Sequence, residues 1–403
     1  MASVGKILIL VENLSVPFDR RVFQEALGLL RNGWHVSIVC PRLIDRKPFE
    51  ILEGVRIYRY PLIHTARRAI GYLFEYPFNM LMSFVYALYI YISHGFQIIH
   101  ACNPPDLFFI LALPFKLLGV QFAFDQHDLC PEAFESKFNK KSGFVYAVLR
   151  LLEECTYLTA NAVLATNESY KKIAIERGHF PTDKVWVVRS SPDLSRFKPG
   201  NPNDNFKKGK KYLVAYLGTM GRQDGIDYLL RSIRIILKKW GRSDIHFMLM
   251  GGGENLTTLK RMASEMMLGA AVEFTGRVSN ERVCEVLSTA DVCVAPDPIS
   301  PLNNKSTMNK ILEFMAMSRP IVSYRLTETV FSAGESALYA KDNDEEDFAR
   351  KIVELLQKPD LRAAMGTYGY NRLKSKLSWE HSLEQLLTAY EFLGSRIIRR
   401  RAI

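Results

Sequence analysis

Short apolar runs alternate along the chain with segments whose apolar residues recur every three or four positions. The runs "KILILVE" (6–12), "HVSIVCP" (35–41), "FQIIHA" (96–101), "VQFAFDQHD" (120–128), "AVLATN" (162–167) and "KVWVVR" (184–189) read as buried strands. "DRRVFQEALGLLRNGW" (19–34) has the spacing of an amphipathic helix. Continuous apolar strands separated by amphipathic segments predict a parallel sheet covered by helices on both faces. At "FKPGNPNDNFKKGKKY" (197–212) the pattern dissolves into Pro, Gly, Asn and Lys, which marks a linker. It then restarts with strands "YLVAYLG" (212–218), "IHFMLMGGG" (245–253), "AVEFTG" (271–276), "DVCVAP" (291–296) and "PIVSYRL" (320–326). Two α/β, doubly wound domains in tandem are expected, 1–199 and 200–379, with a last helix at about 380–403 that packs back on the first. In such sheets ligands gather at the carboxyl ends of the strands, so a site in a cleft faced by both domains is expected.

Length agrees with this division, because 403 residues with 48% hydrophobic content exceed one ordinary core. The six cysteines are scattered with no C-x-x-C pair, which fits core thiols in a reducing compartment and argues against a zinc site. The amino terminus offers only a five-residue apolar run before Glu12, a first strand rather than the core of a secretion signal. A formal charge of +11 favours anionic partners: nucleic acid, nucleotide phosphates or an acidic membrane surface. No zinc finger, basic repeat or aromatic-basic interleaving points to nucleic acid.

Candidate chemistry concentrates in "KSTMNKILEFMAMSRPIV" (305–322). Continued as a helix, Ser306 and Glu313 share one face with Asn309 between them. The N–H groups of Ser306, Thr307 and Met308 would then meet an anion at the helix start, with Glu313 about 10 Å further on, the span from a diphosphate to a ribose. The competing reading is local: Ser306 or Thr307 caps the helix and Glu313 pairs with Lys310. "YLGTMGRQDGIDYLL" places Gly218, Gly221 and Gly225 in a strand-to-helix turn beside Arg222, a weak phosphate-loop signal that matches no standard motif. "LMGGGEN" reads as a structural turn.

Together these residues resemble glycosyltransferase family 4, the retaining, nucleotide-sugar-dependent enzymes of the GT-B fold, and the resemblance runs through almost the whole chain. "VPFDRRVFQEALGLLRNGWHVSIVC" is similar to the family's first loop and helix, "DQHDLCPE" to its amino-domain histidine loop, and "FTGRVSNERVCEVLSTADVCVAP" to its most typical run. "ILEFMAMSRPIV" matches the helix carrying the second glutamate of the E-x7-E signature, whereas Lys305 stands where the first would be. An S-T-M-N-K run before the surviving glutamate resembles bacterial members that build surface polysaccharides.

The resemblance implies a metal-independent hexosyltransferase without cofactor, most commonly using a UDP-sugar. It implies catalytic roles for His127 and Glu313, and donor contacts from Gly218, Thr219, Arg222, Lys305, Ser306, Thr307, Met308, Asn309, Lys310 and Glu313. Asp19, Arg20, Arg21, Asp128 and Glu132 would lie on the acceptor side. Thr219 and Asp224 occupy positions where many members have an arginine and a lysine, so Arg222, Lys305 or Lys310 would supply the missing charge. The apolar stretch 77–93 reads either as a buried helix or as one dipping into a bilayer surface, and the tail "SRIIRRRAI" adds arginines suited to anionic lipid. The expected protein is therefore peripheral at the cytoplasmic membrane face, adding a sugar to a lipid-linked saccharide acceptor. Alternatives are a non-catalytic scaffold of a polysaccharide assembly complex, or an epimerase or hydrolase of the same fold.

Overall fold

The computed structural model describes residues 4–42, 46–62, 69–138, 143–195 and 197–401. It divides into two compact units, Met1–Ser190 with Ser382–Ile403, and Ser191–His381. The division falls ahead of the Pro/Gly/Asn/Lys stretch. Ser191 Oγ donates to the Leu377 carbonyl and Phe197 is buried with Leu213 and Val286, so the chain joins the second unit before its composition changes.

The first unit contains strands β1 (Gly5–Val11), β2 (Trp34–Arg42), β3 (Phe49–Leu52), β4 (Val55–Pro61), β5 (Ile98–Cys102), β6 (Gln121–Gln126), β7 (Ala162–Ala165) and β8 (Val185–Val187). Its helices are α1 (Arg20–Arg31), α2 (Ala69–Ser93), α3 (Phe108–Leu117), α4 (Cys130–Phe138), α5 (Phe144–Thr159) and α6 (Glu168–Glu176). The sheet order is β3-β4-β2-β1-β5-β6-β7-β8, parallel except for the β3–β4 pair. That hairpin departs from the all-parallel expectation. Glu53 and Gly54 both take positive φ, 49° and 91°, the two-residue turn whose twist matches antiparallel strands.

The second unit contains β9 (Tyr212–Leu217), β10 (Ile245–Met250), β11 (Val272–Gly276), β12 (Val292–Ala295), β13 (Ile321–Tyr324) and β14 (Ala337–Ala340). They form one parallel sheet ordered β11-β10-β9-β12-β13-β14. The helices are α7 (Ile226–Arg234), α8 (Leu256–Glu265), α9 (Asn280–Thr289), α10 (Asn309–Ala316), α11 (Thr327–Ala333), α12 (Glu345–Gln357) and α13 (Pro359–Arg372). α7 shows why the pattern folds this way: Ile226, Leu229, Leu230 and Ile233 are buried at helical spacing against the sheet.

The last helix, α14 (Trp379–Arg401), returns to the first unit, where Leu386, Ala389, Tyr390 and Leu393 are buried along one face. Tyr390 packs edge-on to Trp34 at 5.4 Å between centroids, and Phe392 lies 5.4 Å from Trp186.

In each sheet the chain winds outward in both directions from one pair of neighbours, β1/β5 in the first unit and β9/β12 in the second. In doubly wound sheets such switch points, at the carboxyl ends of the strands, are where ligands bind.

Beside the β5 end, Asp106 is buried, with one carboxylate oxygen accepting from Asn103 Nδ2 at 2.8 Å. Burial pushes its carboxyl up from 3.8 to about 7, against the opposing pull of the Asn103 and Cys130 hydrogen bonds. The folded state thus keeps a proton that the unfolded chain releases. This contribution is complete below about pH 4 and is lost as pH rises to about 7. Asp106→Asn, which mimics the protonated acid, should remove a pH-dependent term on the order of 4 kcal/mol. Thermal denaturation across pH 4–8 should show a flatter stability profile for the variant than for the wild type.

Candidate active site

Around the β1/β5 switch point the side chains converge on Asp125, the fifth residue of β6. Arg21, in the first turn of α1, places Nη2 2.7 Å from Asp125 Oδ1 and Nε 3.3 Å from Oδ2. Its Nη1 donates to the Val188 carbonyl at 2.5 Å, just beyond β8, and its Nε also reaches His127 Nε2 at 3.0 Å. His127 Nε2 lies 2.5 Å from Asp125 Oδ2, and His100 on β5 lies 3.2 Å from the same oxygen. The other ring nitrogen of His100 meets the Tyr390 hydroxyl at 2.7 Å.

The cluster contains two carboxyl groups with opposite fates. Burial pushes Asp125 up, but Arg21, His127 and His100 pull it further down, well below the usual carboxylate range. Glu25, fully buried with Oε1 3.1 Å from Arg21 Nη2, is pushed well above its usual range by burial and by Asp125, Arg21 only partly opposing. Asp125 therefore carries the charge and Glu25 the proton. His100, Cys102 and Asp125 bring three potential metal-ligand atoms within 4.8 Å of one another. A cation there would stand against the Arg21 guanidinium that already binds Asp125, so this donor set is committed to the ion pair.

Asn103 fixes the loop that carries His127. Its Oδ1 accepts from the backbone N–H of His127 at 2.6 Å and of Asp128 at 3.1 Å, while Nδ2 donates to the Asp128 carbonyl. The His127 side chain, 13% exposed, is thereby held at the cluster's edge, where a ligand can reach it.

The acceptor-side expectations divide. Arg21 belongs to the cluster, Asp128 is exposed beside His127, and Arg20 is exposed on α1. Asp19 is the N-cap of α1, accepting from the Val22 N–H at 3.1 Å, which is the local reading of that residue. Glu132 departs from an acceptor role. It is buried and paired with Arg177 at 2.5 Å, while Arg177 also holds Glu153.

At the β9/β12 switch point two glycine turns stack. Gly218 has φ 153°, and a Cβ at Gly251, itself at φ 135°, would stand 1.8 Å from the Gly218 carbonyl oxygen. Gly251 thus serves the backbone approach of one turn to the other. Thr219 and Arg222 are exposed in the first turn, and Gly221 N–H donates to Asp224 Oδ2 at 2.9 Å. Asn303, buried, fastens the next loop to this turn, donating from Nδ2 to the Gln223 and Pro298 carbonyls.

The helix start differs from expectation. α10 begins at Asn309, and Ser306 lies before it, its N–H donating to Leu302 and Asn303 carbonyls and its hydroxyl to Leu302. Ser306 and Glu313 therefore do not share one helix face, because the chain needs a turn over 302–306 before the helix can open. Met308 is the N-cap and provides no side-chain cap, so the helix opens on backbone groups of Met308, Asn309 and Lys310. Glu313 is half-buried in the second turn, and Lys305 and Thr307 are half-buried ahead of the helix.

Lys310 corrects both readings made for it. Its Nζ lies 2.7 Å from Asp297 Oδ1, 3.9 Å from Asp224 Oδ1 and 3.4 Å from the Tyr216 hydroxyl, not on Glu313. Burial alone would neutralise this amine, but Asp297, Tyr216 and Asp224 outweigh it and keep the ammonium charged. With two carboxylates around it, Lys310 is not a spare cation for phosphate.

Comparison with known proteins places both units. The description "Glycosyltransferase Family 4" matches residues 19–196, and "Glycosyl transferases group 1" matches residues 211–358. The uncharacterised glycosyltransferase MJ1069 of Methanocaldococcus jannaschii is 22% identical over 90% of this chain and 91% of its own. The capsular polysaccharide biosynthesis glycosyltransferase CapM of Staphylococcus aureus is 23% identical over 62% of this chain and 66% of its own. Among solved structures, Anabaena HepE in complex with UDP and glucose superposes with a TM-score of 0.72 at 12% identity, covering 96% of this chain and 99% of that one. The two parallel-sheet units are those of the GT-B fold.

Removing the Lys310 side chain should be costly, since it strands Asp297 in the interior. Lys310→Ala is expected to lower stability by about 3–5 kcal/mol, read as a drop in the urea midpoint. A midpoint within experimental error of wild type would contradict the buried pairing.

Proposed function

We propose that this chain, a glycosyltransferase in both of its halves, is a retaining, metal-independent enzyme that moves a hexose from a nucleotide-sugar, UDP-linked in the simplest case, to a lipid-linked saccharide in cell-surface polysaccharide synthesis. The observation that carries the proposal is the β9/β12 switch point of the second unit. There a glycine turn stands beside the start of α10, a Cβ at Gly218 lying 3.1 Å from Lys310 Cε, and the half-buried Glu313 follows one turn along that helix. CapM, named for capsule synthesis, and HepE, crystallised with UDP and glucose, support the product class and the donor class.

In this reading the donor's diphosphate lies against the N–H groups opening α10, with Arg222 and Lys305 neutralising it, and Glu313 accepts hydrogen bonds from the ribose hydroxyls. The bond from the sugar's anomeric carbon to the acceptor oxygen forms as the bond to the phosphate oxygen breaks. The acceptor proton passes to that leaving phosphate, so no carboxylate nucleophile is required. His127 is aligned for its part in the transfer by Asp125 and the Asn103-held loop. Catalysis then rests on positioning and on charge stabilisation of the leaving diphosphate. The acceptor's lipid and the net charge of +11 suit a peripheral protein at the cytoplasmic face.

Calorimetric titration of UDP, GDP, ADP and CMP into wild-type protein and Glu313→Ala tests the donor site. One nucleotide should saturate, and the variant should bind it about tenfold to a hundredfold more weakly, since a hydrogen bond to a charged group is worth about 1.5–3 kcal/mol. Equal affinity in the variant would remove Glu313 from the site, and no binding by any of the four would favour a scaffold.

A further inference from the structure

Among the described residues, the large apolar side chains that stand in solvent belong to the first unit, apart from Met267 and Phe331. Most of them fall on three helices. On α2 the exposed positions Leu81, Val85, Leu88 and Ile92 recur at helical spacing, so the outward stripe, not only the inward one, is apolar. No Asp, Glu, Lys or Arg occurs from Tyr76 through Ser93. On α3, Ile110, Leu113 and Leu117 repeat the pattern, and on α5, Phe144, Leu151 and Leu158 stand outward two turns apart. Exposure reaches 90% at Leu117, 84% at Phe144 and 77% at Leu158.

α3 packs against both α2 and α5. The crossovers β4→β5, β5→β6 and β6→β7 all advance in the same direction across the sheet, and right-handed connections put the three helices on one face. The α2 and α3 stripes therefore adjoin as one apolar surface, while on α5 the exposed Glu154 stands between Leu151 and Leu158 and marks that surface's border. At one end of it lies a cavity of about 650 Å³ lined by Tyr91 at the end of α2, Leu117 and Leu118 at the end of α3, and Ile397 of α14. The basic end of α14 thus adjoins the apolar face. Arg396 precedes Ile397, and the chain continues through Arg399, Arg400 and Arg401.

We propose that the α2–α3 face, with the arginine-bearing end of α14 at its rim, is where the protein lies on an anionic lipid leaflet, the cavity at the helix ends receiving part of an acyl chain. The inference rests on the lipid-linked acceptor of the preceding reading and assigns it a surface. Among the described residues no helix is long and apolar enough to cross a membrane, so the helices lie in the interface. Charge complementarity selects the occupant. An apolar stripe adjoined by Arg396, with three more arginines following in the sequence, suits headgroups of negative charge, whereas two copies meeting on this face would bring like charges together.

Sedimentation of the full chain with phosphatidylcholine vesicles, with and without phosphatidylglycerol, tests this. The wild type should bind the phosphatidylglycerol vesicles at least tenfold better than the neutral ones, less so at high salt. The doubly substituted Leu88→Glu, Leu117→Glu protein should lose at least tenfold in partitioning, while its melting temperature and nucleotide affinity stay unchanged. Undiminished vesicle binding by that variant, or no binding by the wild type, would overturn the proposal. So would light scattering that finds a wild-type dimer which the substitutions dissolve. Vesicle binding as expected with no nucleotide bound would instead count against the donor-site reading alone.

Discussion

Arg21 and Asp125 meet where α1 begins and β5, β6 and β8 end, and the buried ion pair sets the positions of nearly every polar group around it. Two-point attachment to the Asp125 carboxylate uses two guanidinium nitrogens, and the third is fixed by the Val188 carbonyl. Asp125 also receives His127 and His100 on Oδ2, the oxygen that Arg21 Nε shares, and His100 hands the connection on to Tyr390 of α14. Burial so deep would destabilise a lone charge by several kcal/mol, so each partner is needed by the others. The carboxyl-terminal helix is thereby tied to the same cluster as the first loop.

The second unit solves a similar problem with different residues. Lys310 is drawn from the helix start into the sheet by Asp297 and Asp224, and this explains how Asp224 can occupy the glycine turn without an unpaired charge. Under the proposed donor reading, attraction for a diphosphate would come from charges other than Lys310, Arg222 among them, and from backbone groups at the α10 start.

Much of the architecture was legible because parallel strands buried on both faces are written as uninterrupted apolar runs. Among the described residues every strand but β3, β4 and β14 falls within or next to a run picked out from 6 to 326. The β3–β4 hairpin was not legible from apolar runs, since β3 is half exposed and its turn depends on a non-glycine residue at positive φ. Part of the candidate site was legible from local motifs, namely the histidine loop, the glycine turn and Glu313. Its supporting residues were not, because the pairs are distant in sequence: Arg21 and Asp125 are 104 residues apart, His100 and Tyr390 290. Ser306 was misplaced for a local reason, the 302–306 turn that consumes its N–H before α10 opens. Asn103 and Asn303, which hold the two site loops, carry no sequence signal beyond being asparagines near strand ends.

The central proposal is that the Asp125 cluster aligns His127 for transfer and that the residues around the β9/β12 switch point bind the nucleotide. The most direct measurement is steady-state release of UDP from a UDP-sugar with a bacterial membrane-lipid extract as acceptor, comparing wild type with Asp125→Asn, alongside UDP affinity by calorimetry. The account predicts a fall in kcat of at least a hundredfold with UDP affinity unchanged. Full turnover in the variant, or a loss of nucleotide affinity that accounts for the whole effect, would contradict it.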